Sequence, residues 1–284
     1  MAGSQVSVGA ALTYAWTLLR KNWRSIWGVL ALVSLAETVA AAGADTQNYG
    51  LLFGGFGVLL VVQPMLYAAI FRLAFADRHL ADPAYALGHS GLQWRAMEWR
   101  VLAAELLLIL FLIIVATLGF LLVGGLALGI IASRGGAAPP TTPQAVIAAL
   151  GQDGWNVVLF VLVLVLAALV FFQIRLCLAL PATADTRKIT VLGSWGLTKG
   201  HFWRILATLL LLQLPLTFLQ SLIAALADGG GAVAGAAQPM SAESALFSAL
   251  TIGVAIGCLI APLSVGVLAY YYRNPSGPPP GGAS

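Results

Sequence analysis

The sequence carries very little charge. Only 8% of its 284 residues are Asp, Glu, Lys or Arg, whereas 60% are hydrophobic. Soluble domains carry roughly 25% charged residues, and a chain of this length has no interior that could hide so much apolar surface. The composition therefore excludes an ordinary soluble fold and predicts that a lipid bilayer surrounds most of the chain.

Residues that carry chemistry are also scarce. The two cysteines, Cys177 and Cys258, lie inside apolar runs and are expected to be packing residues. The three histidines, His79, His89 and His201, have no metal-ligand spacing. The chain has neither a Gly-x-Ser-x-Gly nucleophile elbow nor a phosphate-binding loop. These absences argue against an enzyme, so we predict no catalytic residue, no cofactor and no metal site.

Long apolar segments are abundant. A helix needs about 20 mainly apolar residues to cross a bilayer. Six segments of the chain qualify, over approximately residues 26–43, 51–75, 101–133, 155–180, 202–227 and 245–272. The predicted fold is all-α, a polytopic transmembrane helical bundle that forms a single integral membrane domain over residues 1–273. Residues 274–284 are rich in Pro and Gly and are predicted to be a disordered cytoplasmic tail.

The distribution of basic residues predicts the orientation. Lys and Arg in short loops stay on the cytoplasmic side of a membrane. If the odd-numbered spans run outward, 13 of the 14 basic residues fall on one side and only Arg134 falls on the other. The 13 are Arg20, Lys21, Arg24, Arg72, Arg78, Arg95, Arg100, Arg175, Arg187, Lys188, Lys199, Arg204 and Arg273. We therefore predict that both termini are cytoplasmic.

Internal similarity divides the chain into three units, over about residues 6–78, 84–180 and 188–273. Each unit has a Trp-Arg pair at the start of its outward span, and each returning span ends near an Arg. The predicted interfacial anchors are Trp23, Arg24, Trp99, Arg100, Trp203 and Arg204, together with Arg72, Arg175 and Arg273. The spans thus form three repeated hairpins, each preceded by an interfacial amphipathic helix. In the first unit, Val8, Leu12, Ala15, Trp16, Leu19 and Trp23 are predicted to share its apolar stripe.

Few polar residues interrupt the spans. Glu37 and Glu105 are the only acids assigned to them, at different depths, and Gln63, Gln173 and Gln213 are further polar positions. A charge at the centre of a bilayer costs roughly 2.5 to 3.5 kcal/mol on insertion scales. These residues are candidates for interhelical hydrogen bonds or, alternatively, for an ion-coupled or proton-coupled site.

Glycine and proline mark further features of the spans. Pro64, Pro215 and Pro262 are expected to kink the helices that contain them. Three glycine pairs at a spacing of four residues permit close helix approach, namely Gly50 and Gly54, Gly125 and Gly129, and Gly253 and Gly257.

The stretch from Arg175 to Leu206 carries a family resemblance. It reads Arg-Leu-Cys-Leu-Ala-Leu-Pro-Ala and later Gly-Ser-Trp-Gly-Leu-Thr-Lys-Gly-His-Phe-Trp-Arg-Ile-Leu. This resembles the polytopic membrane domain that some bacterial glycerophosphodiester phosphodiesterases carry, and that also occurs alone in related uncharacterised bacterial membrane proteins. The resemblance implies a bacterial cytoplasmic (inner) membrane protein. It does not imply phosphodiesterase activity, because the catalytic barrel and its motifs have no counterpart in this sequence.

Three classes of function fit these features. The leading hypothesis is a non-enzymatic structural or accessory membrane protein that contacts membrane lipids, a protein partner or a second copy of itself. The alternative is a transporter of a small molecule or lipid, which the kinked spans, the repeats and Glu37 favour. A membrane-embedded lipid enzyme needs polar residues clustered at one depth, which the sequence lacks, and nothing indicates a nucleic-acid partner.

Overall fold

A computed structural model describes residues 6–80, 82–134, 142–227 and 242–274. The described part of the chain is helical and contains no strand. Its helices are α1 (Val8–Asp45), α2 (Tyr49–Phe75), α3 (Ala96–Ser133), α4 (Pro143–Leu176), α5 (Ala179–Thr186), α6 (Ser194–Leu197), α7 (Phe202–Ala227), α8 (Ala242–Ala255) and α9 (Ala261–Arg273). Short 3-10 turns cover Pro83–Tyr85 and His89–Gly91, and one π-helical turn covers Ile256–Ile260.

Five of the described helical segments are long and apolar enough to cross a membrane, over residues 8–44, 49–75, 89–133, 144–186 and 246–273. Helix α7 covers the fifth predicted span, and its described apolar stretch runs from Phe202 to Pro215. The all-helical prediction is therefore confirmed. The predicted disordered tail lies outside the described residues, apart from Asn274.

The chain divides into two compact units, of which the larger contains the residues up to Glu105 and those from Cys177 onward. Within it, helices α1 and α2 form an antiparallel hairpin. The backbone N–H of Asn48 donates to the Gly43 carbonyl at 2.8 Å, and the Asn48 side chain caps α2 by accepting from the Leu51 N–H at 3.2 Å. A Cβ added at Gly55 would lie 2.6 Å from the backbone nitrogen of Ala40, so glycine permits this close approach.

The last helices of the same unit pack against α1 at two glycines. A Cβ at Gly253 would lie 2.6 Å from the Thr38 nitrogen, and one at Gly257 would lie 2.6 Å from the Ser34 Cα. Of the three predicted glycine pairs, this one is a close helix contact. A Cβ at Gly54, Gly125 or Gly129 would have no neighbour within 4 Å.

The π-helical turn before Pro262 explains how α8 continues into α9. The backbone N–H of Ala261 donates to the Ile256 carbonyl, five residues earlier. Proline has no N–H and its ring clashes with the preceding turn of a regular α-helix. A wider turn accommodates this ring, so the predicted disruption at Pro262 takes the form of a π-bulge.

The smaller unit, Leu106–Leu176, is an antiparallel pair formed by most of α3 and all of α4. Phe111 packs edge-on against Phe172 with ring centroids 5.4 Å apart, and Ile131 clusters with Leu150. In the most apolar stretch of the helix that includes α3 no residue is buried, and in that of α4 only 17% of the residues are buried. The corresponding fractions are 56% in α1 and 61% in α2. The most apolar stretches of these two helices are therefore largely exposed.

The segments that precede the three outward spans differ from the predicted amphipathic helices. Helix α1 is one continuous helix of 38 residues, because no Gly or Pro interrupts residues 10–27. Before α3 there are only two 3-10 turns, in a segment that contains Pro83, Gly88 and Gly91. Before α7 there is the four-residue helix α6. Local Gly and Pro therefore decide where separate helices form, and the expected common pattern is absent from these three described segments.

Candidate functional site

A buried ion pair joins the end of α2 to the start of α3. The guanidinium of Arg72 is bidentate on Glu98, with its NH2 donating to Oε2 at 3.0 Å. The side chains are 1% and 0% exposed. Arg72 Nε also donates to the Ala84 carbonyl at 3.1 Å, and the Arg95 backbone N–H donates to Glu98 Oε2 at 2.8 Å. Both charges are therefore paired and hydrogen-bonded, as burial requires.

Asp185, which lies in α5, connects three further segments. His79 Nε2 lies 2.9 Å from Asp185 Oδ1, and the Tyr272 hydroxyl donates to Oδ2 at 3.0 Å. The ring of His79 stacks on Tyr85 with centroids 4.1 Å apart. The Tyr85 hydroxyl donates to the Ala184 carbonyl at 2.8 Å, and burial raises the pKa of Tyr85 to about 12. Tyr85 therefore remains a hydrogen-bond donor at physiological pH.

Two more exposed ion pairs complete this cluster. Arg273 at the end of α9 pairs with Asp77, with NH1 3.0 Å from Oδ1. This hydrogen bond holds the pKa of Asp77 below its ordinary value. Arg187 pairs with Asp82. We define the end network as these paired residues, namely Arg72, Asp77, Arg78, His79, Asp82, Tyr85, Glu98, Asp185, Arg187, Tyr272 and Arg273.

The end network is built to hold helix ends together. Each of its acids is engaged by Arg or His, and its two tyrosine hydroxyls donate to backbone or carboxylate oxygens. His79 and Asp185 have the geometry of an oriented base, but no hydrogen bond joins His79 to a Ser or Cys side chain in the part of the chain that the structure describes. Within the described ranges, no group of three or more His, Cys, Asp or Glu is placed to hold a metal ion.

The predicted anchors occupy different environments. Trp23, Trp99 and Trp203 are 52%, 60% and 76% exposed, and Arg24 and Arg204 are also exposed, whereas Arg100 is half-buried. The three arginines at the ends of the returning spans do not share one environment. Arg72 is buried on Glu98, Arg273 pairs with Asp77, and Arg175 lies with its Cζ 5.4 Å from the Phe171 ring centroid. Arg72 is thus an internal ion-pair residue and differs from a membrane-surface anchor.

The polar residues predicted inside the spans also divide into two groups. Gln173 and Gln213 are exposed. Gln63 donates to the hydroxyl of Tyr67, which interacts electrostatically with Glu105 and with Glu37. One carboxyl oxygen of Glu105, Oε2, is buried and makes no hydrogen bond to the described residues.

The site residues predicted from the sequence do not include Glu98 and Asp185, the two central acids of the end network. Glu98 precedes the predicted third span and was not counted among the membrane acids, and Asp185 lies beyond the end of the fourth. One signal was present, because an Arg within an apolar run, such as Arg72, needs an acidic partner. The sequence alone does not identify which acid the fold brings to it.

The burial of His201 predicts that the stability of the fold depends on pH. His201 is 1% exposed, neither ring nitrogen makes a hydrogen bond to the described residues, and its ring centroid lies 5.7 Å from that of Tyr271. Burial, with the nearby charge of Arg204, lowers the pKa of His201 below its ordinary value of 6.5. The unfolded chain therefore binds a proton at a higher pH than the folded chain, so stability falls as the pH drops below about 6.5.

Replacing His201 by Phe should remove this contribution, which is at most about 1.4 kcal/mol per pH unit for one proton. The measurement is the free energy of unfolding in mixed micelles between pH 7.5 and 5. His89→Gln, at an exposed histidine, is the control. An identical slope in His201→Phe and in the unmodified chain would contradict the prediction.

Comparison with known proteins identifies no relative. No family model, no curated protein and no solved structure matches the chain. The resemblance drawn from residues 175–206 therefore stays a prediction.

Proposed function

We propose that this chain is an integral protein of a bacterial inner membrane that crosses it six times, as three repeated hairpins, with both termini in the cytoplasm. The five long apolar helical segments and α7 supply the spans. Contacts between helix ends support the placement of both termini on the same side of the membrane. Arg204 at the start of α7 donates to the Val6 carbonyl at 2.8 Å, and Arg273 at the end of α9 donates to the Ala74 carbonyl at the end of α2. The excess of Lys and Arg assigns that side to the cytoplasm.

Its proposed role is that of a non-enzymatic structural or accessory protein that contacts lipid or another membrane protein. The exposed apolar stretches of α3 and α4 carry this proposal, because few of their residues are buried. Helices that are apolar on all sides need lipid or a protein around them. The end network supports the same role, since its ionisable groups pair with one another.

A transporter of a small molecule or lipid is the second candidate, and Glu105 favours it. Its unpaired buried oxygen, with Tyr67, Gln63 and Glu37, puts polar groups from three helices into one region. One apolar pocket beside α1, lined by residues such as Leu19, Ile70 and Pro262, includes none of these groups. The accessory role is therefore better supported.

The deciding experiment has a topological part and a functional part. A reporter fused after Ser284 should read as cytoplasmic, and the protein should resist extraction from membranes by alkaline carbonate. Affinity purification in mild detergent should recover a reproducible partner or bound lipid, and recovery of that partner should depend on α3–α4. An external reading would contradict the topology. Solute flux in proteoliposomes that Glu105→Gln abolishes, and Asp77→Asn does not, would replace the accessory role by transport.

A further inference from the structure

Helix α1 displays a row of tryptophan and arginine on its exposed side. Trp16, Arg20, Trp23, Arg24 and Trp27 recur at the spacing of a single helical stripe. The three indoles are 50%, 52% and 55% exposed, and the two arginines are exposed as well. The guanidinium carbon of Arg24 lies 5.7 Å from the centroid of the Trp23 ring, a cation–π distance. We call these five residues the α1 stripe.

The α1 stripe lies apart from the buried side of α1. The side of α1 that faces its neighbours contains Ala11, Ala15, Leu19 and Ile26, all of which are buried. The predicted apolar stripe is therefore divided between the two sides, since Ala15 and Leu19 are buried whereas Trp16 and Trp23 are exposed. The fold uses the small and aliphatic residues for packing and leaves the tryptophans outside with the arginines.

No acid among the described residues neutralises the positive charge of this surface. The chain has no acidic residue before Glu37. Within the described ranges, neither arginine of the α1 stripe nor the neighbouring Lys21 makes an ion pair. By contrast, the acids of the end network are already taken by Arg72, by Arg273 and by the network's other Arg and His side chains.

The length of α1 places the stripe at the membrane surface. Its 38 residues extend about 57 Å, compared with about 30 Å for the hydrocarbon core and about 45 Å for the whole bilayer. If the turn after Asp45 lies at one edge of the core, about 20 residues reach the other edge, close to Ser25. Arg20 and Arg24 then lie among the lipid headgroups, at the depth that tryptophan side chains also prefer.

We infer that the α1 stripe is a binding surface for the phosphate groups of anionic phospholipids. Guanidinium groups bind phosphate oxygens through paired hydrogen bonds, and the indoles of Trp23 and Trp27, which lie nearest the edge of the core, pack against the upper acyl chains. The unneutralised charge selects anionic over zwitterionic lipid. This inference rests on the proposed membrane location and names the lipid class that the accessory protein contacts.

The test measures lipid binding to the full chain in detergent. Phosphatidylglycerol and phosphatidylcholine are titrated separately, and bound lipid is counted by native mass spectrometry. Each surface cation contributes about 1 kcal/mol, or roughly fivefold, to binding an anionic membrane. The double variant Arg20→Gln/Arg24→Gln should therefore weaken phosphatidylglycerol binding roughly 30-fold and leave phosphatidylcholine binding unchanged. The control Lys188→Gln/Lys199→Gln removes the same charge at exposed loop positions and should change either affinity less than threefold.

Three outcomes would overturn the inference. The unmodified chain could bind both lipids equally, the two double variants could weaken phosphatidylglycerol binding equally, or neither could weaken it. The last result would leave an acidic protein surface as the occupant of the stripe. Carbonate extraction separates these results from failure of the proposed function. A chain that resists carbonate but shows no lipid preference overturns only the lipid site, whereas a chain that carbonate releases overturns the membrane location and the lipid site together.

Discussion

Replacing Glu98 by Ala is expected to lower the free energy of unfolding by about 3–5 kcal/mol, the loss typical of breaking a buried ion pair on one side. The substitution leaves the Arg72 guanidinium in a site where its side chain is 1% exposed, with the Ala84 carbonyl as its remaining described acceptor. It also removes the acceptor for the Arg95 backbone N–H. Unfolding by SDS in mixed micelles measures the loss.

Two further variants separate the ion pair from charge in general. Arg78→Ala removes an exposed partner of Asp185 that lies 3.6 Å away, so it should cost less than about 1 kcal/mol. The double variant Arg72→Met/Glu98→Leu removes both charges and keeps apolar volume, so it should recover most of the stability that Glu98→Ala loses. If the double variant is as unstable as the single one, packing rather than the unpaired charge accounts for the loss.

The ion pair also shows which parts of the fold the sequence could predict. Helix positions follow from runs of apolar residues that are longer than a bilayer crossing, and these runs are local in the sequence. The partner of Arg72 is 26 residues away, and the partners of Asp185 are more distant still. Pairing across such distances depends on which helix ends the fold brings together. The hydropathy pattern does not show which helix ends meet.

The α1 stripe shows why hydrophobicity did not predict which side of α1 packs against its neighbours. The expected apolar side of α1 grouped residues by hydrophobicity and so assigned Trp16 and Trp23 to the same surface as Leu19. The helix instead packs through Ala11, Ala15 and Leu19, because small side chains allow the neighbouring helices to come close. In a membrane protein lipid accepts large apolar side chains as readily as the protein interior does. The side of a helix that packs against its neighbours therefore depends on the size and polarity of the side chains there, and hydrophobicity alone does not determine it.

The glycine pairs also show that a sequence pattern alone does not identify which helix surfaces are in contact. All three pairs have one sequence spacing, but only Gly253 and Gly257 meet a neighbouring helix. Gly257→Ala is therefore expected to lower the free energy of unfolding by about 1–3 kcal/mol, because the added methyl group needs space that Ser34 occupies. The hydrogen-bonded contact between Ser34 Oγ and Cys258 Sγ, 3.2 Å apart, would also be displaced.

Gly129→Ala and Gly54→Ala are the matched controls. Their added methyl groups would meet no atom within 4 Å, and alanine is the better helix former by roughly 0.5–1 kcal/mol. These two variants should therefore be neutral or slightly stabilised in the same SDS titration. Equal destabilisation at all three positions would mean that glycine is needed for helix flexibility. A loss at Gly257 alone would mean that the contact between α1 and the π-helical turn limits stability, since the same substitution is harmless wherever a helix is uncovered.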